Sequence, residues 1–299
     1  MKIIEFDLNN VPSNYPNTAL CLGFFDGIHK GHQAIINAAL KTSKEVAVLT
    51  FSTPPAYVIG RKDDKRSLTS VDDKADILEN MGVSYLFVMP FDARIMSVTR
   101  LEFINEVLKV LNPSVIYCGE DYRFGKEALG TPKFLSHYFK VNIVELKKYK
   151  ENKFSSKNIR KLIYEGNIKE ANVCLGHPYR IGGFVTSGKQ NGKTLGFPTA
   201  NLDLDFAYVI PTNGVYIGYG YIHEQKYKCL ISIGTHPTLS ELDAPIIEVY
   251  LLGFNETIYG DSLFVEFIDR IRDMIKFNDI KDLVKQIEKD KEYALKHLE

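Results

Sequence analysis

Residues 19–33 read ALCLGFFDGIHKGHQ, and they set the architecture of the first half of the chain. The first four residues are apolar, as in a buried strand, and an amphipathic segment follows from Gln33 to Leu40. Gly23, Gly27 and Gly31 lie between the two. Glycine tolerates positive φ and lets a ligand approach the backbone closely. The stretch therefore predicts a strand, a tight loop and the start of a helix.

Phosphate is the ligand that this loop suits best. The first turn of a helix leaves backbone N–H groups unpaired and carries the positive end of the helix dipole. His29 and His32 add side-chain donors, which the field of a bound phosphate would make cationic. A zinc site is disfavoured because no Cys or carboxylate stands beside them at zinc-ligand spacing. An ordinary surface turn would explain either histidine by itself, but not the three glycines and two histidines together.

Composition restricts the class of protein. The chain has 299 residues, 45% of them hydrophobic, which favours two domains. Lys and Arg total 37, as do Asp and Glu, so the net charge is zero and gives no reason to expect nucleic acid or an anionic membrane as a partner. The start, MKIIEFD, is too short and acidic for a secretory leader, so we expect a cytoplasmic protein. The four cysteines are far apart, mostly within apolar runs, and we expect buried free thiols.

The first half alternates apolar runs with helical patterns. Helical spacing covers 72–81 and 99–111, with Asp72 and Thr99 as N-cap candidates. Strands that are apolar throughout and alternate with helices indicate a doubly wound parallel sheet, which binds ligands beyond the carboxyl ends of its strands. After the first strand, the predicted strands are 46–51, 85–91, 115–118 and 141–146.

The pattern changes after a short helical run at 168–175. Period-two runs bounded by Gly, Asn or Pro then indicate antiparallel strands, five or six of which would close a small β-barrel. A charged amphipathic helix at 280–298 can pack across it. We therefore expect domains at 1–175 and 176–299. The predicted barrel strands are 179–187, 215–222, 227–233, 246–252 and 263–268.

Two further segments of the first half are candidates for ligand contacts. The loop GEDYRFG, at 119–125, could hold a flat ring, although an aromatic pair two residues apart is often just loop packing. The segment FSSKNIR begins at Phe154. Ser155 or Ser156 would cap a helix there, and Arg160 could also grip phosphate oxygens.

The stretch GKTLGFPTAN, at 192–201, is the informative part of the second half. It is not a P-loop, because the glycine that a P-loop requires falls on Ser187 and the following glycine and proline cannot open a helix. Thr199 and Asn201 instead offer oxygen atoms on one side of the chain as ligands for Mg²⁺. Glu248 is the one carboxylate in an apolar strand, which marks either a structural partner or a catalytic base.

These motifs together resemble one family. Residues 23–32 are similar to the nucleotidyltransferase signature of the bacterial bifunctional riboflavin kinase/FMN adenylyltransferases. Residues 192–201, 232–238 and 247–252 resemble the riboflavin kinase blocks of the same family. The resemblance runs from about Gly23 to Asp290, with the motifs in the expected order.

The chain departs from the family pattern at four places. Phe24 stands where the family usually has asparagine, and Thr53-Pro54-Pro55 replaces a Pro-His-Pro. Lys157 replaces a threonine after the two serines, and Met274 replaces the acid of an Arg-Asp-Glu block. The first three departures put the adenylyl transfer in question. One flavin or nucleotide contact is expected to differ at Met274.

The resemblance implies ATP- and Mg²⁺-dependent phosphorylation of riboflavin to FMN, followed by adenylylation of FMN to FAD. Thr199 and Asn201 would hold the metal, Glu248 would accept the proton of the riboflavin 5′-hydroxyl, and His29, His32 and Arg160 would oppose phosphates. The alternatives are a kinase with a degenerate first domain and a non-catalytic flavin-binding regulator; the oligomeric state stays open. Substrate or nucleotide contacts are implied at Gly23, Phe24, Asp26, Gly27, Gly31, Asp121, Arg123, Ser155, Ser156, Gly188, Lys193, Gly196, Pro198 and Thr199.

Overall fold

The computed structural model describes residues 1–13, 15–60, 66–145, 148–149, 152–187, 196–234 and 245–299. Contacts within the chain group it into two compact units, Met1–Ser156 and Lys157–Glu299. The division falls earlier than the change of sequence pattern after residue 175, because the intervening helix Ile168–Leu175 packs on the strands that follow it. The assignment of separate activities to 1–175 and 176–299 stays a prediction.

The first unit contains the predicted parallel sheet. Its six strands lie in the order β1-β4-β3-β2-β5-β6, and every neighbouring pair is parallel. The edge strand β1 was not predicted, because its four residues are mostly exposed and show no burial pattern. The strands are β1 (Lys2–Glu5), β2 (Ala19–Leu22), β3 (Val46–Phe51), β4 (Tyr85–Met89), β5 (Val115–Gly119) and β6 (Val141–Val144).

Apolar side chains cover both faces of this sheet. One cluster includes Leu20, Leu49 and Ile104, and the other includes Cys21, Val48 and Ile36. The doubly wound architecture is therefore confirmed. All four cysteines of the chain are buried free thiols, as expected.

Helices and short turns connect the strands. The N-cap prediction is confirmed for Thr99, whose hydroxyl accepts from Glu102 N at 3.2 Å. It is wrong for Asp72, because Ser70 caps that helix in a reciprocal capping box with Asp73. The helices are α1 (Lys30–Leu40), α2 (Pro55–Val58), α3 (Val71–Asn80), α4 (Ala93–Ser97), α5 (Arg100–Glu102), a π-helical segment (Phe103–Leu108), α6 (Lys109–Leu111) and α7 (Pro132–Leu135). Short 3₁₀ turns lie at Asp26–Ile28 and Lys126–Ala128, and a two-stranded hairpin joins β7 (Lys148–Tyr149) to β8 (Asn152–Lys153).

The second unit is the predicted antiparallel barrel, closed in the order β10-β13-β12-β11-β14-β9. The sequence missed β10, which pairs with both β9 and β13 and closes the barrel. Two helices precede the barrel, α8 (Ser156–Tyr164) and α9 (Ile168–Leu175), and α10 (Ile280–His297) follows it. None of the described helices is long and apolar enough to cross a membrane. The strands are β9 (Tyr179–Thr186), β10 (Ala200–Leu204), β11 (Gly214–Ile222), β12 (Gln225–Gly234), β13 (Ile246–Leu251) and β14 (Ser262–Arg272).

One side chain joins α9 to two barrel strands. The Asn172 amide donates to Phe267 O at 2.8 Å and accepts from Tyr179 N, also at 2.8 Å. Replacing Asn172 with Ala should leave both backbone groups without this partner, at a cost of about 1–3 kcal/mol.

We therefore expect amide exchange in β9 peptides of Asn172→Ala to rise about tenfold or more, measured by mass spectrometry. Val173→Ala is the matched control, since Val173 is exposed on the same helix. Unchanged protection of β9 in Asn172→Ala would show that the amide does not hold the helix to the barrel.

Candidate active sites

The loop after β2 is fixed to the segment before α3. Asp26 is buried, and its carboxylate accepts from Leu68 N at 2.8 Å. Gly27 has a positive φ of 77° and donates its N–H to Thr69 Oγ1 at 2.9 Å. Asp26 and Gly27 were predicted to contact nucleotide. Their contacts shape the loop, and a nucleotide contact for them stays a prediction.

His29 and His32 lie together at the start of α1. His29 is the N-cap, and its Nδ1 accepts from His32 N at 3.3 Å. A neutral imidazole that accepts through Nδ1 carries its proton on Nε2, so His29 keeps an Nε2–H donor. The two rings stack with centroids 3.6 Å apart, and Phe25 packs against His32 edge-on. The sequence correctly places the pair on one side of the loop.

Burial determines the ionisation of both imidazoles. It lowers the pKa of His29 to about 4. It also holds the pKa of His32 well below its usual value, with further lowering from the charges of His29 and Lys74. The buried, stacked rings therefore favour the neutral form at neutral pH in this structure, and the expectation that a bound phosphate would make them cationic stays a prediction. Neutral imidazoles can still donate one hydrogen bond each.

The loop glycines make room for aromatic rings. A Cβ on Gly31 would lie 3.0 Å from His29 Cε1, and one on Gly23 would lie 3.0 Å from Phe25 Cε2. Both glycines were predicted to admit a ligand to the backbone, which stays a prediction. The ring of Phe24, another predicted contact, lies 4.2 Å from the Nζ atom of Lys74. Sequence reasoning missed Lys74, because nothing in its helical pattern marks it as buried.

The loop that follows β5 divides into an exposed and a packed part. Asp121 and Arg123 are exposed, and the Arg123 guanidinium donates to Tyr122 O at 2.8 Å. Tyr122 and Phe124 stack on each other, and Phe124 packs against Phe103 in the core. The aromatic pair thus contributes to loop packing, which the sequence left as the alternative interpretation.

The last residue of the first unit, Ser156, contacts the histidine loop. Ser156 is the first residue of the helix, and its hydroxyl donates to Asp26 O at 2.9 Å. Ser155 precedes the helix and is half-buried, as is Arg160 one turn into it. Phosphate contacts of these three residues stay predictions.

In the barrel, pairing across three strands aligns three polar residues. Asn201 of β10 is opposite Glu248 of β13, which is opposite Ser232 of β12. Residues directly opposite each other project from the same face of a sheet. In β13, Ile247 and Val249 are buried whereas Glu248 is half-buried. Glu248 therefore lies on the outer face of the barrel, and not in its interior with Ile247 and Val249.

Two cavities meet at Thr199. The first has a volume of about 310 Å³ and is lined by Thr199, Glu248 and Ser232 together with apolar side chains such as Tyr250 and Ile287. The second, of about 280 Å³, is lined by Thr199 and Pro198 and by the segment 254–259. Thr199 thus lines two spaces that could each hold a ligand. Sequence reasoning missed cavity residues such as Ile287, because α10 is far from Thr199 along the chain.

The other predicted residues of the glycine-rich segment are Gly188, Lys193, Gly196 and Asn201. Gly196 has a φ of 84° and open space around it, so its backbone conformation rather than crowding favours glycine. Gly188 and Lys193 lie outside the described residues. Among the residues that the structure describes, Asn201 is not part of the lining of either cavity, although it lies opposite Glu248.

An ion pair attaches α10 to the barrel beside the first cavity. The Arg272 guanidinium donates to Asp290 from Nε at 2.9 Å and from its terminal nitrogen at 2.7 Å. Gln286 Nε2 donates to the same carboxylate at 2.9 Å. Both Arg272 and Asp290 line the cavity. The pair therefore fixes the helix that supplies one of the cavity walls.

The chain combines two kinds of site. A histidine-bearing helix start at the carboxyl ends of parallel strands suits nucleotide phosphates. A carboxylate and a hydroxyl beside paired cavities suit transfer between two bound molecules. This combination defines a nucleotide-dependent transferase with two domains.

Comparisons with known proteins agree with this class. The FAD synthetase family matches residues 11–160, and the riboflavin kinase family matches residues 175–298. The bifunctional riboflavin kinase/FMN adenylyltransferase of Bacillus subtilis is 37% identical and aligns with 94% of this chain and 92% of its own length. The enzyme of the same name from Listeria monocytogenes is 35% identical over 92% of this chain and 91% of its own length.

A solved structure also matches along the whole chain. It belongs to a Streptococcus pneumoniae protein described as a macrolide-efflux protein, and it is 33% identical, with a TM-score of 0.89 over 98% of this chain and 99% of that one. The chain belongs to the bifunctional riboflavin kinase/FMN adenylyltransferase family.

The depressed pKa of His29 predicts a pH-dependent stability. An unfolded imidazole takes up a proton near pH 6.5, whereas the folded one does so only near pH 4, so the free energy of unfolding should fall as the pH drops through this window. At about 1.36 kcal/mol per pKa unit, the loss for His29 is at most about 3 kcal/mol.

The measurement compares urea denaturation of the parent and His29→Asn at several pH values. Asparagine can still cap α1 but does not titrate, so the parent should lose more stability than the variant between pH 6.5 and 4. Equal losses in both proteins would contradict a neutral, buried His29.

The ion pair of α10 gives a second prediction. Asp290→Ala leaves the Arg272 charge without its partner, which typically costs roughly 3–5 kcal/mol for a buried pair. Amide exchange in α10 should accelerate at least tenfold. Asp282→Ala on the same helix is the matched control, because Asp282 is exposed and its nearest lysine nitrogen is 3.8 Å away. Equal exchange in both variants would mean that the pair does not attach the helix.

Proposed function

We propose that the barrel unit phosphorylates riboflavin to FMN and that the parallel-sheet unit adenylylates FMN to FAD, with ATP as the second substrate of both reactions. The order of the two family matches along the chain supports this division. The observation that carries the kinase assignment is the position of Thr199 between two cavities, one of which also contains Glu248.

In the kinase reaction, the first cavity would hold the flavin. Its apolar lining suits the isoalloxazine ring, and the second cavity beyond Thr199 is left for ATP. The Glu248 carboxylate accepts the proton of the 5′-hydroxyl as the oxygen attacks the γ-phosphorus, and ADP leaves. The catalytic contribution of the barrel is to hold the two molecules in line and to provide this base.

The residues near Thr199 fit Mg²⁺. A hydroxyl and a side-chain amide oxygen are hard donors, and Asn201 lies opposite a carboxylate on the adjacent strand. Thr199 and Asn201 would hold the ion, which neutralises charge on the ATP phosphates when bound.

In the adenylyl transfer, an oxygen of the FMN phosphate attacks the α-phosphorus of ATP, and pyrophosphate leaves. The amides at the start of α1 and the neutral imidazoles of His29 and His32 donate hydrogen bonds to the phosphates. Arg160 supplies positive charge in this proposal. A covalent intermediate on the protein is not required.

Two alternatives compete with this proposal. Phe24, Pro54 and Lys157 favour a kinase whose first domain no longer transfers adenylyl groups. A flavin-binding regulator without activity is opposed by the presence of Thr199, Asn201 and Glu248 together. A cytoplasmic location remains a prediction.

Product analysis separates these functions. The protein is incubated with riboflavin, ATP and Mg²⁺, and the flavins are resolved by chromatography. We expect FMN and FAD from the parent. Glu248→Gln keeps the shape but cannot accept the proton, so FMN formation should fall by about 10²–10⁴-fold while conversion of added FMN to FAD continues.

Each of the other results would contradict a different part of the proposal. FMN without FAD under any condition would replace the proposal with the kinase-only function. Neither product would favour the regulator. A Glu248→Gln kinase rate within a few-fold of the parent would make Glu248 a structural residue.

A further inference from the structure

Lys74 is a buried, charged residue that has no role in either of the two proposed reactions. It belongs to α3 and is 2% exposed. Lysine is almost never fully buried unless its ammonium is paired, because removing the charge from water is costly. Burial lowers the pKa of Lys74 to about 8, against the opposing influence of Asp26 and Asp73. The ammonium is therefore still mostly charged at neutral pH.

The contacts of this ammonium converge on the loop after β2. Its Nζ donates to Thr50 Oγ1 at 3.3 Å, and Thr50 Oγ1 donates to Phe24 O at 2.7 Å. The same Nζ also donates to Phe51 O at 3.4 Å and lies 4.2 Å from the centroid of the Phe24 ring. Lys74 thus contacts the carboxyl end of β3 and reaches both the carbonyl and the ring of Phe24.

The charge of Lys74 also acts on the histidines. Its positive charge contributes to the low pKa of His32, after burial and the charge of His29. The groups that face Lys74 are Asp26 on the 3₁₀ turn, Asp73 on its own helix and His32 on α1. Because both imidazoles favour the neutral form, the charge of Lys74 would add to the positive charge that Arg160 supplies in the proposed reaction.

We propose that Lys74 is a positioning residue for adenylyl transfer, which holds Phe24 through Thr50 and through the aromatic ring and places a fixed positive charge at the loop after β2. The proposal rests on the function proposed for this domain. Lys74 does not touch the reacting atoms in it. The residue keeps the loop in one conformation and adds to the effect of burial that favours a neutral His32, whose imidazole can then donate a hydrogen bond to a phosphate.

A lysine that only fills space would behave differently on replacement. Lys74→Met keeps length and helix propensity but removes the charge. If the charge sets the ionisation of His32, the pKa of His32 should rise in this variant, whereas pure packing would leave it in place. Thr50→Val removes the hydroxyl that donates to the Phe24 carbonyl but keeps the charge of Lys74. It should therefore leave the His32 titration unchanged.

The first readout is NMR of isotope-labelled histidine in the full chain, titrated from about pH 4 to pH 8, with His32→Gln used to assign the signal. It requires no turnover, so it decides the electrostatic part even if the parent makes no FAD. We expect the His32 titration to move to higher pH in Lys74→Met. An unchanged titration would overturn the proposal whatever the product analysis shows.

The second readout is the rate of FMN-to-FAD conversion across pH, with riboflavin phosphorylation by the same samples as the internal control. We expect kcat to fall about tenfold or more in both Lys74→Met and Thr50→Val, with little change in the kinase. The parent rate should also decline above about pH 8, where Lys74 loses its proton, and Lys74→Met should lack this decline.

If Lys74→Met does not fold, the pH profile of the parent and the kcat of Thr50→Val decide the matter. A parent that makes FAD without any decline above pH 8 would contradict the role of the charge. A Thr50→Val variant with the parent kcat would contradict the positioning of Phe24. A parent that makes no FAD would refute the function proposed for the domain, and the His32 titration would then test Lys74 separately.

Discussion

The pairing of β10 with β9 on one side and β13 on the other is the constraint on which the barrel site depends. Without this five-residue strand, the barrel would have two open edges. Its register places Asn201 opposite Glu248, and its first residues follow directly from Thr199 between the two cavities. Backbone hydrogen bonds between the strands therefore align Asn201 with Glu248. Their alignment does not depend on the conformation of a loop.

In the first unit, the neutral and the charged forms are found on different buried side chains. The histidines are buried and stacked, which favours their neutral forms, whereas Lys74 retains a charge that two nearby carboxylates support. A protonated stack of two imidazoles at 3.6 Å would suffer direct charge repulsion. In the proposed adenylyl transfer, His29 and His32 would therefore donate hydrogen bonds, and Lys74 on another helix would supply positive charge.

The sequence predicted what local patterns encode. Apolar runs that alternate with helical patterns predicted the parallel sheet, and period-two runs predicted the barrel. The side chain of Thr99 marked a helix start. The sequence could not predict β10, which is short and follows a glycine-rich stretch of sequence, nor the burial of Lys74, which depends on Thr50 and Phe24 of other elements. The outward position of Glu248 depends on barrel closure, and the cavity wall formed by α10 depends on Arg272 and Asp290. Such features depend on contacts between distant parts of the chain, which the periodicity of the sequence does not encode.

The central claim is that transfer to the flavin takes place at Thr199, between the two cavities. A crystal structure of the protein with riboflavin, a non-hydrolysable ATP analogue and Mg²⁺ tests it most directly. The account predicts the flavin ring in the cavity lined by Tyr250 and Ile287, the nucleotide on the other side of Thr199, and the 5′-hydroxyl within hydrogen-bonding distance of Glu248. A flavin bound elsewhere, with its 5′-hydroxyl remote from Glu248, would contradict it.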